Sequence, residues 1–402
     1  MVTTMNRASQ NMMKAWACLG TRFLPFSDAA TSDLPLSRLL QLSLFQVTVG
    51  MSLVLLIGTL NRAMIVELGV PASLVGAVIS LPLIFAPVRA FIGFRSDTHR
   101  SALGWKRVPF MYRGTMVQFG TIASALIFGA LLADFTPGRL VQVIQGSAVA
   151  TIVLNAIALW KQEARGRSRA SAVAQQAPRF QQAWDSFIHG GQTMRRMVAI
   201  GMGTMAFSMK DVLLEPYGGE ILHLGVADTT KLSATLAVGG LLGFSLAARV
   251  LGRGADPFRM ASYGVLPGVP TFVAVIKAAP MHSPMLFAFG TLLIGFGAGL
   301  FGHGTLTATM NLASPRLASP RLARSNRAGL GTCGAVQASA AGLAIALGGI
   351  VRDVVAATAP PGALGAAVGY TFVHGIEVVL LFATLVTTIP LIRPARVLAR
   401  AG

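Results

Sequence analysis

Charge is what this chain has least of. Only 12% of its 402 residues are Asp, Glu, Lys or Arg, against roughly 25% in an ordinary soluble domain. A surface so poor in charge cannot be hydrated as a globule. Cysteine is nearly missing as well: Cys18 in the N-terminal segment and Cys333 beside a late apolar run imply neither a disulfide framework nor a zinc site. The period-two alternation of an outer-membrane barrel is lacking. So are a Walker-type loop, a dinucleotide fingerprint and a nucleophile–base–oxyanion constellation, so no catalytic residues and no enzyme are expected. Nothing before Leu39 resembles the apolar core of a cleavable leader, and none is expected.

Long uncharged runs are plentiful. Leu39–Asn61, Leu140–Trp160 and Ala328–Val351 each come near the ~20 residues that cross a hydrocarbon core as a helix. With barrels set aside, only helices satisfy every backbone group in lipid. The expected fold is therefore all-α, a polytopic transmembrane helical bundle. Ten spans are expected, near 39–61, 72–94, 110–133, 140–160, 197–214, 232–249, 260–279, 285–311, 328–350 and 366–391.

The net charge of +19 does not predict a nucleic-acid partner, because Lys and Arg fall in short clusters between apolar runs rather than on one soluble face. With both termini in the cytoplasm, 26 of the 33 basic residues lie on that side, the bias that orients membrane proteins. The longest polar stretch, Lys161–Arg196, reads as a basic cytoplasmic linker between a shorter N-terminal half (37–160, four spans) and a C-terminal half (197–392, six spans). Residues 1–36 carry Met12, Trp16, Leu19 and Phe23 at helical spacing, which suits a helix lying among lipid headgroups; residues 393–402 form a cytoplasmic tail.

The loop after the second span reads Gly93-Phe-Arg-Ser-Asp97-Thr-His-Arg100, and its counterpart in the second half reads Gly252-Arg-Gly-Ala-Asp256-Pro-Phe-Arg259. The repeat resembles the signature loop of the major facilitator superfamily, whose two halves rock about a central cavity. Glycine lets helices approach, and a carboxylate and a guanidinium can latch their cytoplasmic ends. Asp97 and Arg100 would equally serve as a solvated i,i+3 pair.

Longer stretches narrow the resemblance: Leu60-Asn-Arg-Ala-Met-Ile-Val-Glu-Leu-Gly69, Phe91–Arg100 running on to Gly104-Trp-Lys-Arg107, Ala206-Phe-Ser-Met-Lys-Asp-Val-Leu-Leu-Glu-Pro-Tyr-Gly-Gly219, Gly334-Ala-Val-Gln337 and Gly342–Gly349. They resemble the PucC/LhaA-type bacteriochlorophyll delivery family of that superfamily. The resemblance implies a multi-pass protein of a bacterial inner, intracytoplasmic photosynthetic membrane that helps assemble light-harvesting complexes. Its implied partners are antenna polypeptides, bacteriochlorophyll or the pigment's synthesis machinery, and membrane lipid. The family has twelve spans. Here the chain up to about Gly120 resembles the third, Thr121–Asp134 the end of the fifth and Leu140–Trp160 the sixth, so an internal deletion of about two spans is expected. A carrier lacking them is not expected to drive uphill transport.

A charge at mid-bilayer costs about 2.5–3.5 kcal/mol on insertion scales, so the intramembrane charges need a purpose or a partner. They are Arg89, Lys210, Asp211, Glu215, Lys277 and Glu377. Asp211 and Glu215 at i,i+4 read either as a site for a polar head or pigment carbonyl, or as snorkelling with an interhelical ion pair. Two histidines fall inside spans and are candidate axial ligands for bacteriochlorophyll magnesium. His303 stands among glycines 295, 297, 299, 302 and 304, a trough that admits either a flat macrocycle or another helix. His374 and Glu377 at i,i+3 can order a tautomer for ligation, carry a proton, or simply join helices. No metal site is expected.

Overall fold

A computed structural model describes residues 44, 47–84, most of 123–159, 192–312, 320–359 and 363–392. These residues are helical apart from their turns. The helices are α1 (Val47–Glu67), α2 (Ala72–Ile84), α3 (Pro137–Leu159), α4 (Thr193–Ser208), α5 (Leu214–Glu220), α6 (Val226–Gly252), α7 (Pro257–Ala278), α8 (Pro284–Leu312), α9 (Pro320–Thr358) and α10 (Ala363–Thr388). Among the described residues, seven helical stretches are long and apolar enough to cross a membrane. Two shorter apolar helices, Ala72–Leu81 and Gly138–Leu154, stand at the expected second and fourth spans. The chain is a multi-pass membrane protein. The N-terminal segment, most of the expected third span, nearly all of the basic linker and the C-terminal tail lie outside the described residues.

The six-span half is held by close backbone approach. α8 packs between α6 and α7, and glycines on each helix make room: a Cβ added to Gly239 or Gly295 would fall 2.0 Å from a carbonyl oxygen of the facing helix. Small residues replace the missing hydrophobic drive for helix association in lipid. α4, α9 and α10 complete this half, with α10 also against α7. The shorter half meets it chiefly where α2 packs along α9, through Gly349 against the Ala72 carbonyl and Gly76 against the Ile345 carbonyl.

Two spans depart from the expected continuous helices. The fifth is broken: α4 ends at Ser208, Met209–Val212 form a 3-10 turn, and α5 restarts at Leu214. Pro216 explains the break, because a proline has no N–H for the carbonyl four residues back and its ring crowds that carbonyl. The freed carbonyl is that of Val212. In α1, Val54–Leu60 and Ala63–Glu67 are π-helical, a wide geometry that commonly marks functional stretches. The ninth expected span ended at 350, whereas the helix runs to Thr358 and carries Arg352 and Asp353 within it.

Candidate functional site

The broken fifth span and the π-helical α1 face one another. Asn61 of α1 donates its side-chain amide to the Val212 carbonyl at 2.9 Å and to the Ile57 carbonyl at 3.0 Å. Next to it Arg62, buried, pairs with Glu67 at 2.6 Å and donates to the Leu224 carbonyl in the α5–α6 turn at 3.0 Å. Both residues belong to α1 and bind the other half. A third tie runs the opposite way: Asp353 of α9 accepts the Ser73 N–H at 2.7 Å, an orphan donor in the first turn of α2 that a carboxylate satisfies well. Arg352 holds that carboxylate at 2.9 Å, pairs with Glu220 and lies 4.9 Å over the Tyr370 ring, whose hydroxyl also donates to Glu220 at 2.9 Å. The bundle is therefore closed at the end bearing the α1–α2 turn.

Next to these ties a cavity of about 300 Å³ opens between α1 and the 3-10 turn Met209–Val212, α5, α6 and α8. Its walls are apolar, from Leu53, Val54 and Ile57 on one side to Leu236, Phe244 and Ala298 on the other. Four polar residues line it: Lys210, Asp211, Glu215 and Ser233. The expected Asp211–Glu215 pair is thus brought to one cavity, but not as neighbours on one regular helix. The 3-10 turn gives Asp211 to Lys210 as an ion pair, while Glu215 accepts the Ser233 hydroxyl through Oε1 at 2.5 Å. Its Oε2 is buried without a protein partner. Gly58 makes the reach possible, since a Cβ there would lie 2.3 Å from Glu215 Oε1.

The two histidines lie in different surroundings. Around His303 the glycine trough is filled at four of its five glycines: Gly295 and Gly299 receive the backbone of α6, Gly297 and Gly304 that of α7, and Gly302 has nothing within 4 Å. The helix-packing alternative accounts for these four glycines. His303 itself is 6% exposed, edge-on to Phe244 at 5.7 Å. His374 is fully buried, stacked on Phe272 and edge-on to Tyr217, with Nδ1 2.6 Å from Glu377 Oε2. His374 Nε2 and Glu377 Oε1 have no protein partner. The space beside His374 does not fit a bacteriochlorin macrocycle, because aromatic rings cover it.

The second signature loop is a turn with a cap. Gly254 takes a positive φ of 88° beyond Gly252, and Asp256 caps α7 by accepting the Arg259 backbone N–H at 2.9 Å. Arg259 sends its guanidinium to the Tyr263 hydroxyl at 2.8 Å, while its backbone N–H is the donor that Asp256 accepts. Arg89, Gly93, Asp97 and Arg100 lie outside the described residues. Lys277 sits exposed in the last turn of α7, where a cation complements the helix dipole.

A family model described as PUCC protein matches residues 59–122 and 115–396. The chain belongs to the PUCC family. Its two matched pieces meet at 115–122, where the internal deletion was expected. The chain is 46% identical to Protein PucC of Rhodovulum sulfidophilum over 428 positions, covering 87% of this chain and 92% of that one. It is 43% identical to Protein PucC of Cereibacter sphaeroides over 466 positions, covering 97% and 99%. Those 466 positions exceed the 402 residues here, so this PucC relative carries residues that this chain lacks. A solved bacterial homologue of the human lysosomal transporter Spinster, inward-facing and unoccupied, matches with a TM-score of 0.59 at 14% identity, covering 88% of this chain and 95% of that structure. The PUCC-family chain therefore has the fold of major facilitator transporters.

Proposed function

We propose that this protein is an assembly factor for photosynthetic light-harvesting complexes, docking antenna polypeptides in the membrane and binding or delivering bacteriochlorophyll to them. The observation that carries the reading is membership of the PUCC family over residues 59–396. The covered His374 and the largely filled glycine trough favour handling of pigment at the lipid-facing surface over axial ligation inside the bundle. No step of this role requires catalysis by the chain. The protein acts in the bacterial inner membrane, where antenna helices and pigment meet. Co-purification of the detergent-solubilised protein with antenna polypeptides and bacteriochlorophyll tests it; recovery of neither from antenna-forming cells counts against it.

A second reading, a proton-coupled carrier of a small solute, is favoured by the buried His374–Glu377 pair and by the cavity between the halves. Proton-gradient-driven accumulation of solute in reconstituted vesicles, abolished by Glu377→Gln, supports it. Vesicles without accumulation leave the assembly role as the account of the fold.

A further inference from the structure

α6 carries an exposed stripe that changes character along its length. The helix starts at the turn that Arg62 holds and runs 27 residues to the opposite end of the bundle. Leu242 and Leu246 are 53% and 43% exposed, and the exposed Arg249 and Arg253 continue the same line at helical spacing. From Leu242 to Arg253 is about 16 Å at 1.5 Å per residue, roughly the depth of one leaflet of a ~30 Å hydrocarbon core. Beyond the turn, α7 repeats this order in reverse, with Arg259 first and then the exposed Tyr263 and Leu266. The two helix ends are held together over α8, where Ala247, Met260 and Leu300 form one buried cluster with Val250 and Leu251 packed on it.

The bias that orients membrane proteins accounts for the sign of these charges. It does not account for their lack of partners. Arg249 and Arg253 make no ion pair or side-chain hydrogen bond among the described residues. Arg259 donates its Nε–H to the Tyr263 hydroxyl, with the guanidinium 5.7 Å from the ring centre. That hold fixes the planar fork and leaves its two NH₂ groups without a partner among the described residues. The carboxylate between them in sequence, Asp256, is buried and accepts the Arg259 backbone N–H. Three guanidiniums against one carboxylate leave a charge of +2 at this turn. Basic groups beside spans hold anionic lipid heads in this way.

We propose that the α6–α7 turn is a docking site for a phospholipid whose head carries two phosphates, cardiolipin, with Arg249, Arg253 and Arg259 taking the phosphates and Leu242 and Leu246 lying against an acyl chain. The charge of the head matches that of the turn, and arginine forks suit phosphate oxygens. A zwitterionic head offers no net charge to match. This site is separate from antenna docking and stands or falls without it.

The test uses the full chain, purified in a non-ionic detergent and stripped of lipid, titrated with cardiolipin, phosphatidylglycerol and phosphatidylcholine under native mass spectrometry. Cardiolipin should bind about fivefold tighter than phosphatidylglycerol, and phosphatidylglycerol tighter than phosphatidylcholine; a factor of about five is what one basic residue contributes at an anionic lipid head. Arg253→Gln and Arg259→Gln should each weaken cardiolipin by about that factor and leave phosphatidylcholine unchanged. Tyr263→Phe keeps the ring but removes the acceptor that holds Arg259, and should weaken cardiolipin as well. Lys277→Gln removes an exposed cation at the other end of α7 and should change nothing. Glycerol phosphate, a head without chains, should not displace the lipid. Cardiolipin bound no tighter than phosphatidylglycerol or phosphatidylcholine, full binding in the double variant Arg253→Gln/Arg259→Gln, an equal loss in Lys277→Gln, or displacement by glycerol phosphate overturns the proposal.

Discussion

Asn61 and Val212, 151 positions apart, are joined by a 2.9 Å hydrogen bond that repairs the break made by Pro216. The proline deprives the Val212 carbonyl of its helical donor, and the amide of Asn61 supplies one from the other half of the protein. Asn61→Ala should therefore destabilise the chain by about 1–3 kcal/mol, the cost of a buried acceptor left unmatched. In a Pro216→Ala background residue 216 has an N–H again, and the same substitution should cost at least about 0.5 kcal/mol less. Unfolding in mixed micelles with rising SDS measures both. Equal costs in the two backgrounds would show that proline and asparagine act independently.

The carboxylate of Asp353 should control the spacing of α2 and α9 at the closed end of the bundle. Leu74 and Val354 are 57% and 59% exposed, so spin labels at these positions, in a chain without Cys18 and Cys333, can report the distance. Asp353→Ala should lengthen and broaden the distance distribution. Asp353→Asn, which retains an acceptor oxygen for Ser73 but loses the charge facing Arg352, should fall between wild type and alanine. An unchanged distribution in Asp353→Ala would remove this contact from the closure.

Glycines divide into those with a neighbour and those without. At Gly349 a Cβ would lie 2.3 Å from the Ala72 carbonyl, while at Gly146 nothing lies within 4 Å. Gly349→Ala should cost about 1–3 kcal/mol by forcing helices apart. Gly146→Ala should be neutral or stabilising by about 0.5–1 kcal/mol, since glycine inside a helix carries an entropic penalty. The SDS unfolding midpoint separates the two; a Gly349→Ala midpoint equal to wild type would contradict the close α2–α9 packing.

The helices of the six-span half were legible because each is a long apolar run bounded by charge. What escaped was set by tertiary partners. Asn61 and Arg62 lie in a stretch quoted for its family likeness, yet only the facing carbonyls of Val212 and Leu224 give them a role. Arg352 and Asp353 fell outside the expected ninth span because a hydropathy criterion stops at charge, whereas the helix continues through it. Pro216 was the overlooked signal at the fifth span: a proline four residues after Val212 forecasts a break, and a regular i,i+4 face for Asp211 and Glu215 ignores it. The glycines around His303 were seen correctly as removing bulk; what occupied the space could be learned only from the packing of α6 and α7.

The orientation expected from the charge distribution has its own test. In a cysteine-free background, an impermeant reagent applied from the periplasm should label a cysteine at Ala359 and miss one at Ser171. The reverse pattern would invert the whole arrangement of loops.

The central claim, assembly of antenna complexes, is tested most directly by the near-infrared absorption of membranes from cells lacking this chain. Antenna absorption should fall relative to that of the reaction centre and return when the 402-residue chain is restored. Antenna absorption that is unaffected by the loss, or that is restored by a full-length PucC relative but not by this shortened chain, would contradict the account.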